Sequence, residues 1–212
     1  MGKNIDYWEE ALKNSPVPYR QWFGEEKQLL QTVITLDSTV LDVGCGNGRS
    51  IFDILSLTEH IVGIDHDEKA VLDARDQLGD CSKVKIIKAE ATAMPFESDV
   101  FGFVICMGTF ANFADKKLAV LGEMSRVLKP SGKIIISVYS EDAFDARMAL
   151  YRSTDAKIKS ISGTTVIFDE SFGDNISEQF SEKELRGIFA QAKLEAVSIV
   201  KVGIGYLCIL SK

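Results

Sequence analysis

Three alternating glycines follow directly on the apolar run at residues 40–43, at positions Gly44, Gly46 and Gly48. Glycine lets a chain leave a buried strand, turn sharply and bring bare backbone against a ligand. Residues 49–57 have helical periodicity, so the turn opens onto a helix N-terminus. Backbone N–H groups at such a terminus favour negatively charged or hydrogen-bond-accepting groups. The segment therefore predicts a strand–turn–helix cradle for a nucleotide-like ligand.

Composition restricts the classes of protein that can carry this cradle. The 212 residues suit one α/β domain, and a net charge of −7 with intermixed signs argues against a broad nucleic-acid-binding surface. No apolar run approaches the roughly 20 residues of a membrane span. The four cysteines are widely spaced and there are two histidines, so we expect reduced thiols, no metal site and a soluble, cytoplasmic protein.

Short apolar segments alternate with helical ones through the middle of the chain. The predicted strands cover residues 40–43, 60–65, 84–88, 99–107 and 133–139, and the predicted helices cover residues 5–13, 21–35, 50–57, 68–78 and 117–128. Such alternation is typical of a parallel sheet with helices on both faces.

The C-terminal part departs from this alternation. Ser181 with Glu184 three residues later is typical of a capping box and predicts a helix that runs to about Lys193. Residues 195–201 and 206–211 predict two strands with a short connection, which requires antiparallel pairing because a parallel return needs a long crossover. Residues 140–180 read as irregular, although the short segments 164–169 and 176–180 can pair.

Polar or small residues stand where successive predicted strands end. In open parallel sheets, ligands bind beyond these carboxyl ends. Asp65 closes the second strand, where a carboxylate can accept both hydroxyls of a ribose. Taken singly, such an Asp is more often a helix cap, and Met107 at the end of strand four is more often part of the core. Their order along the chain nevertheless indicates a binding site.

Two well-known nucleotide motifs do not fit the turn. The dinucleotide motif G-x-G-x-x-G would place its last glycine at Arg49, and no G-K-[ST] follows as a P-loop requires. A nicotinamide-dependent dehydrogenase is therefore disfavoured.

Four segments together resemble a family. Residues 41–48, 62–65, 88–96 and 128–133 are similar to successive motifs of the class I S-adenosylmethionine-dependent methyltransferases, in the small-molecule branch related to ubiquinone/menaquinone methyltransferases. The resemblance covers residues 38–139, and more loosely the C-terminal helix and hairpin. It implies a Rossmann-like α/β fold with a seven-stranded, mostly parallel sheet, helices on both faces and an antiparallel C-terminal hairpin strand, with S-adenosylmethionine as the cofactor.

The resemblance also implies roles for individual residues. The glycine turn would approach the methionine part of the cofactor, with Asp42 behind it orienting the amino group. Asp65 would bind the ribose, and Glu90 the adenine amino group. The full set of expected cofactor-binding residues is Asp42, Gly44, Cys45, Gly46, Asp65, His66, Glu90, Ala91, Met107 and Tyr19. Two positions depart from the family, since Gly102 stands where an Asp is common and Asn112 where many relatives carry His.

We expect one methyltransferase domain over residues 1–212. Its expected parts are an N-terminal helical lid (1–36), a cofactor-binding core (37–139), an acceptor-side insertion (140–180) and a C-terminal helix and hairpin (181–212). Among the N-terminal aromatic residues, Trp8 and Phe23 are assigned to the core, and Tyr19 is the candidate to close over the cofactor. Tyr139 and Asn112 are the candidate acceptor-binding residues.

Methyl transfer from a sulfonium needs in-line orientation rather than a metal or a covalent intermediate. We therefore assign no catalytic residue, and we predict direct transfer to a small-molecule acceptor. A protein or RNA acceptor, and a non-catalytic S-adenosylmethionine-binding protein, remain the alternatives.

Overall fold

The computed structural model describes residues 15–154, 156–169 and 176–212. Its strands are β1 (Thr39–Val43), β2 (His60–Asp65), β3 (Val84–Lys88), β4 (Phe101–Met107), β5 (Leu128–Tyr139), β6 (Ile158–Ser162), β7 (Thr165–Phe168), β8 (Ile176–Ser177), β9 (Glu195–Val202) and β10 (Gly205–Ser211). Its helices are α1 (Val17–Val33), α2 (Arg49–Ile54), α3 (Glu68–Leu78), α4 (Lys117–Val127), α5 (Phe144–Ser153) and α6 (Glu182–Gln191). The predicted helix 5–13, with Tyr7 and Trp8, lies outside the described residues.

The main sheet has seven strands in the order β3-β2-β1-β4-β5-β10-β9. Strands β1 to β5 pair in parallel, so their carboxyl ends meet at one edge. Strand β10 runs antiparallel to both β5 and β9. The predicted fold class, including the antiparallel C-terminal hairpin strand, is confirmed.

Alternate residues of the strands supply two apolar layers, one on each face of the sheet. Val104 and Ile134 pack with residues of α4 and α6, whereas Ile105 and Ile135 pack with residues of α1, α2 and α3. This alternation follows from the period of two along a strand. Helices therefore cover both faces, as predicted.

Helix α1 begins four residues earlier than predicted. Pro16 and Pro18 precede the predicted start at residue 21, but α1 starts at Val17 and contains Pro18 in its first turn. Proline is well tolerated there because the first N–H groups of a helix have no intrahelical partner.

Residues 140–180 are more regular than the sequence indicated. They contain α5, which was not predicted, and an antiparallel three-stranded sheet in the order β6-β7-β8. The pairing of β7 with β8 was anticipated, whereas β6 was missed. The single fully buried residue of α5 is the charged Arg147, whereas the apolar residues Ala146 and Leu150 are only partly buried, so the apolar pattern of this helix is weak.

No helix in the described parts of the chain is both long and apolar enough to cross a membrane.

Candidate functional site

The glycine turn between β1 and α2 has the backbone conformation that its composition predicts. Gly44, Gly46 and Gly48 have φ angles of 72°, 54° and 95°. A Cβ atom on Gly44 would lie 2.3 Å from Thr109 Cγ2, and the Thr109 hydroxyl donates to the Gly44 carbonyl at 2.9 Å. A Cβ atom on Gly46 would meet no protein atom within 4 Å. The turn is thus closely packed at Gly44 and open at Gly46.

Asp65 connects the end of β2 to this turn. Its carboxylate accepts hydrogen bonds from the backbone N–H of Gly46 at 2.9 Å and of Asp67 at 3.0 Å. Each carboxylate oxygen can accept more than one hydrogen bond, so Asp65 retains capacity for a ligand. The helix cap is Asp67 rather than Asp65, because Asp67 accepts from the first N–H groups of α3.

A cavity of about 520 Å³ lies beside the turn, at the carboxyl edge of the parallel strands. The predicted residues that line it are Gly44, Gly46, Asp65, His66, Glu90, Ala91 and Asn112. Thr109, Lys116 and Ile176 also line it, although the sequence had singled out none of them. The predicted residues follow strands that are far apart in the sequence, and the parallel sheet brings them together around one cavity.

Four predicted cofactor residues do not line this cavity. The side chains of Cys45 and Met107 are buried in the apolar layer beneath the sheet edge. Asp42 is buried below the turn, and Tyr19 is 1% exposed in a cluster with Trp22. Tyr19 thus packs inside the protein and does not cover the first cavity. Its ring contacts the ring of Tyr139, with 6.1 Å between the ring centroids.

The segment at residues 89–96, which contains Glu90, is held by a pair of charged residues on α4. Arg126 donates to the carbonyls of Phe96 at 2.7 Å and Met94 at 3.0 Å, and Glu123 accepts from the Met94 N–H at 2.7 Å. The hydrogen bond from Arg126 holds the pKa of Glu123 below its usual range. Opposite charges three residues apart on a helix were the only sequence signal for this pair.

Asp42 is a buried carboxyl group with an unusual environment. It accepts a hydrogen bond from the Ser50 hydroxyl at 2.5 Å, and its other oxygen has no hydrogen-bond partner. Burial raises the pKa of Asp42 to about 7.

Arg49 stands where the dinucleotide motif would have its last glycine. Its side chain connects α2 to α1 through an ion pair. Its guanidinium lies 2.6 Å from a carboxylate oxygen of the fully buried Glu26, and 4.2 Å from the ring centroid of Phe23. The Ser137 hydroxyl of β5 donates to the same Glu26. The ion pair therefore fixes α1 against the helix that follows the glycine turn.

A second cavity of about 280 Å³ adjoins the first. Its lining consists of Gly108, Asn112, Tyr139, Leu150, Tyr151, Thr154, Ala156, Phe168 and Ser177. Asn112 lines both cavities, so the two meet at that residue. Both predicted acceptor-side residues, Tyr139 and Asn112, are therefore at this second cavity.

The hydroxyl of Tyr139 is paired with that of Tyr19 at 3.4 Å. Burial raises the pKa of Tyr139 well above its usual value. The phenol is consequently neutral near pH 7 and can act as a hydrogen-bond donor but not as a base.

The first cavity has the features that S-adenosylmethionine requires. Asp65 can accept from ribose hydroxyls, Glu90 provides an acceptor for an adenine amino group, and the open side of Gly46 admits a ligand against bare backbone. The residues present therefore fit this cofactor.

Known proteins resemble the chain in sequence and structure. The demethylmenaquinone methyltransferase of Bacillus licheniformis is 28% identical over 204 residues, which are 92% of this chain and 85% of the relative. A ubiquinone/menaquinone biosynthesis C-methyltransferase of Shewanella woodyi is 25% identical over 80% of this chain and 71% of the relative. The crystal structure of a Pyrococcus horikoshii protein is 27% identical and superposes with a TM-score of 0.68 over 92% of each chain.

The family profile described as "Methyltransferase domain" matches residues 34–193, which include the glycine turn and all five parallel strands. The match covers well over half of the 212 residues. The chain therefore belongs to the methyltransferase domain family and is an S-adenosylmethionine-dependent methyltransferase.

Proposed function

We propose that the enzyme transfers the methyl group directly to a small-molecule acceptor bound in the second cavity. The observation that supports this proposal is that Asn112 lines both cavities, so an acceptor in the 280 Å³ cavity would lie beside a cofactor in the first cavity. The names of the curated relatives, which specify demethylmenaquinone and ubiquinone/menaquinone biosynthesis, support a small molecule as the acceptor.

The mechanism that follows depends on orientation. When bound, S-adenosylmethionine supplies an electrophilic methyl group on a sulfonium. Asp65 and Glu90 would bind the nucleoside part, while Asn112 and Tyr139 would orient the acceptor. Holding two reactants in line can supply up to about 7–11 kcal/mol of the barrier reduction. Because Tyr139 is a donor at neutral pH, it would position an acceptor oxygen or nitrogen rather than deprotonate it.

We also propose the division of the chain into an N-terminal lid, a cofactor-binding core, an acceptor-side insertion and a C-terminal helix and hairpin. Six of the nine residues that line the second cavity belong to the acceptor-side insertion, residues 140–180, and four of these six lie in α5, β7 and β8. The N-terminal lid enters the proposal only indirectly, since Tyr19 contacts Tyr139 rather than the first cavity. The cytoplasmic location stays a prediction from the spacing of the cysteines.

The proposal is tested by incubating the protein with methyl-labelled S-adenosylmethionine and a cell extract separated into small-molecule, protein and RNA fractions. We expect label in the small-molecule fraction, and its loss in the variant Asp65→Ala. Lys129→Ala is a suitable control because Lys129 is exposed at the amino end of β5, opposite the cavities. Label in the protein or RNA fraction would support those acceptors instead, and no transfer in any fraction would favour the non-catalytic alternative.

A further inference from the structure

Arg147 on α5 is fully buried without a carboxylate partner. Its guanidinium donates to the carbonyls of Thr164 at 3.0 Å and Ser177 at 2.5 Å, and to the side-chain oxygen of Gln179 at 2.8 Å. All three acceptors are neutral, and the buried Nε has no hydrogen-bond partner. Within the described ranges no Asp or Glu forms an ion pair with it. Arg147 is therefore a buried positive charge that the described residues do not neutralise.

Such an arrangement is unusual, because a guanidinium stays charged in proteins and burial of an unpaired charge is strongly unfavourable. Buried charges are as a rule paired with an opposite charge. Three neutral hydrogen bonds reduce the penalty but leave the net charge in place. A binding partner with negative charge would compensate it.

The charge of Arg147 lies directly behind the wall of the second cavity. Its guanidinium carbon is 5.2 Å from the ring centroid of Tyr139 and 5.9 Å from that of Tyr151. Both rings line the cavity, and so does Ser177, whose carbonyl accepts from Arg147. The positive potential of the guanidinium thus reaches the cavity through one layer of side chains.

The same wall offers unused hydroxyl protons. Tyr139 is paired with Tyr19, and Tyr151 with Ser177 at 2.8 Å. Two hydroxyls joined by one hydrogen bond hold two protons and use one, so each pair keeps one proton for a ligand. Three of these four residues line the cavity. As far as the structure describes the lining, it contains no carboxylate that would repel an anion.

We infer that the second cavity binds a compact acceptor that carries an anionic oxygen, such as a carboxylate or an ionised phenol. The oxygen would accept from the hydroxyls of the wall in front of Arg147, and a flat apolar body would pack against Phe168 and Leu150, which line the same cavity. Arg147 would act as a positioning residue through the tyrosines. The inference rests on the proposed function, because it assigns the chemical class of the acceptor at that site.

The first test uses three probes that share a benzene ring and differ in charge: benzoate, benzamide and benzylamine. Each is titrated into the protein saturated with S-adenosylhomocysteine, and binding is followed by protein NMR. Because hydrogen bonds to a charged group are roughly twice as strong as neutral ones, we expect benzoate to bind at least about tenfold more tightly than benzamide, and benzylamine not to bind. Equal affinity of benzoate and benzamide, preference for benzylamine, or no binding of any probe would overturn the inference.

The second test asks whether Arg147 is the source of the preference. The variant Arg147→Met should lose most of the ratio between benzoate and benzamide affinities, whereas Arg147→Lys should retain part of it. Arg152→Met on the same helix is the matched control, since Arg152 is exposed. If Arg147→Met does not fold, Tyr139→Phe should lower the same ratio several-fold. An unchanged ratio in the folded Arg147 or Tyr139 variants contradicts the inference.

The two proposals can fail separately. If the unmodified protein did not bind S-adenosylhomocysteine, or if it transferred label to protein or RNA, the proposed function would be contradicted. Normal cofactor binding and small-molecule methylation, together with no preference for benzoate, would contradict only the anionic acceptor.

Discussion

Asp65 combines a structural role with an expected binding role. Its two oxygens hold Gly46 and Asp67, so the glycine turn and the start of α3 depend on one carboxylate. It is also part of the lining of the first cavity. A single residue at a strand end thus connects the glycine turn to the lining of the first cavity.

The first prediction concerns cofactor affinity. Asp65→Ala should weaken S-adenosylhomocysteine binding, by about 1.5–3 kcal/mol for each hydrogen bond lost to the charged carboxylate. Calorimetric titration measures this change. Asp76→Asn on the exposed side of α3 serves as the control. Equal affinity of Asp65→Ala and the unmodified protein would show that Asp65 does not bind the ribose.

The second prediction concerns Asp42 and the pH dependence of stability. Its pKa is about 7 in the folded protein, compared with 3.8 as the ordinary value. Between about pH 4 and pH 7 the folded state retains a proton that the unfolded state has lost, so the Asp42 contribution to stability decreases as pH rises through this window. Above pH 7 both states are ionised and the contribution no longer changes.

Asp42→Asn should remove the Asp42 contribution to the pH dependence of the free energy of unfolding. Urea unfolding at intervals from pH 4 to pH 8 gives the free energy of unfolding for both proteins. The free energy of unfolding of the variant minus that of the unmodified protein should increase as pH rises to 7, and then stay constant. Asp37→Asn, at an exposed position, should show no such trend. Parallel curves for Asp42→Asn and the unmodified protein would be evidence against a raised pKa.

At the scale of elements, the ion pair of Arg49 and Glu26 explains how α1 is attached. Helix α1 contains several exposed charged residues, and its connection to the sheet depends on Trp22, Leu30 and this pair. Glu26 also accepts from Ser137 on β5. The pair therefore links α1 to both the helix after the glycine turn and the centre of the sheet.

The third prediction follows from this attachment. Glu26→Ala removes the carboxylate that lies 2.6 Å from Arg49 and leaves it only Asp53 at 3.8 Å, and breaking a buried pair in this way is destabilising by up to about 3–5 kcal/mol. Denaturant unfolding measures the loss of stability. Glu25→Ala is the matched control, because Glu25 is the adjacent residue and is exposed. Similar stabilities of the two variants would mean that the ion pair contributes little.

At the scale of the whole molecule, the two cavities are built from different parts of the chain. The first lies at the carboxyl edge of the main sheet, while β7, β8 and α5 form much of the second. Glu178 connects them, since its N–H donates to the Ala111 carbonyl at 3.0 Å and its carboxylate pairs with Lys117. The small sheet is thus tied to the segment that carries Asn112.

The fourth prediction tests the choice of cofactor on the intact protein. S-adenosylhomocysteine at 100 times its Kd should raise the free energy of unfolding by about 2.7 kcal/mol, because it binds only the folded state. Thermal unfolding should show a corresponding increase in Tm. NAD should leave the Tm unchanged, since Arg49 replaces the last glycine of the dinucleotide motif. A larger Tm increase with NAD would contradict the cofactor assignment.

Features that depend on neighbouring residues could be read from the sequence. The bounds of β2, β3 and α3 agree with prediction, and the capping box of Ser181 and Glu184 is confirmed. The glycines at 44, 46 and 48 have the positive φ angles that a sharp turn requires. Each of these outcomes is set by local backbone sterics, local hydrogen bonding or the period of the apolar pattern.

Other features depend on residues far apart in the chain, and only the tertiary structure decides them. Tyr19 meets Tyr139 across 120 positions, which buries a residue that the sequence assigned to a lid. Arg147 has a charged side chain, which the sequence would place at the surface, yet the packing of α5 against β8 buries it completely. The sequence by itself therefore determined the sheet and the methyl donor, since both are encoded in short motifs at strand ends. The second cavity was decided by long-range packing, because its lining residues converge only when α5, β7 and β8 come together with the ends of β4 and β5.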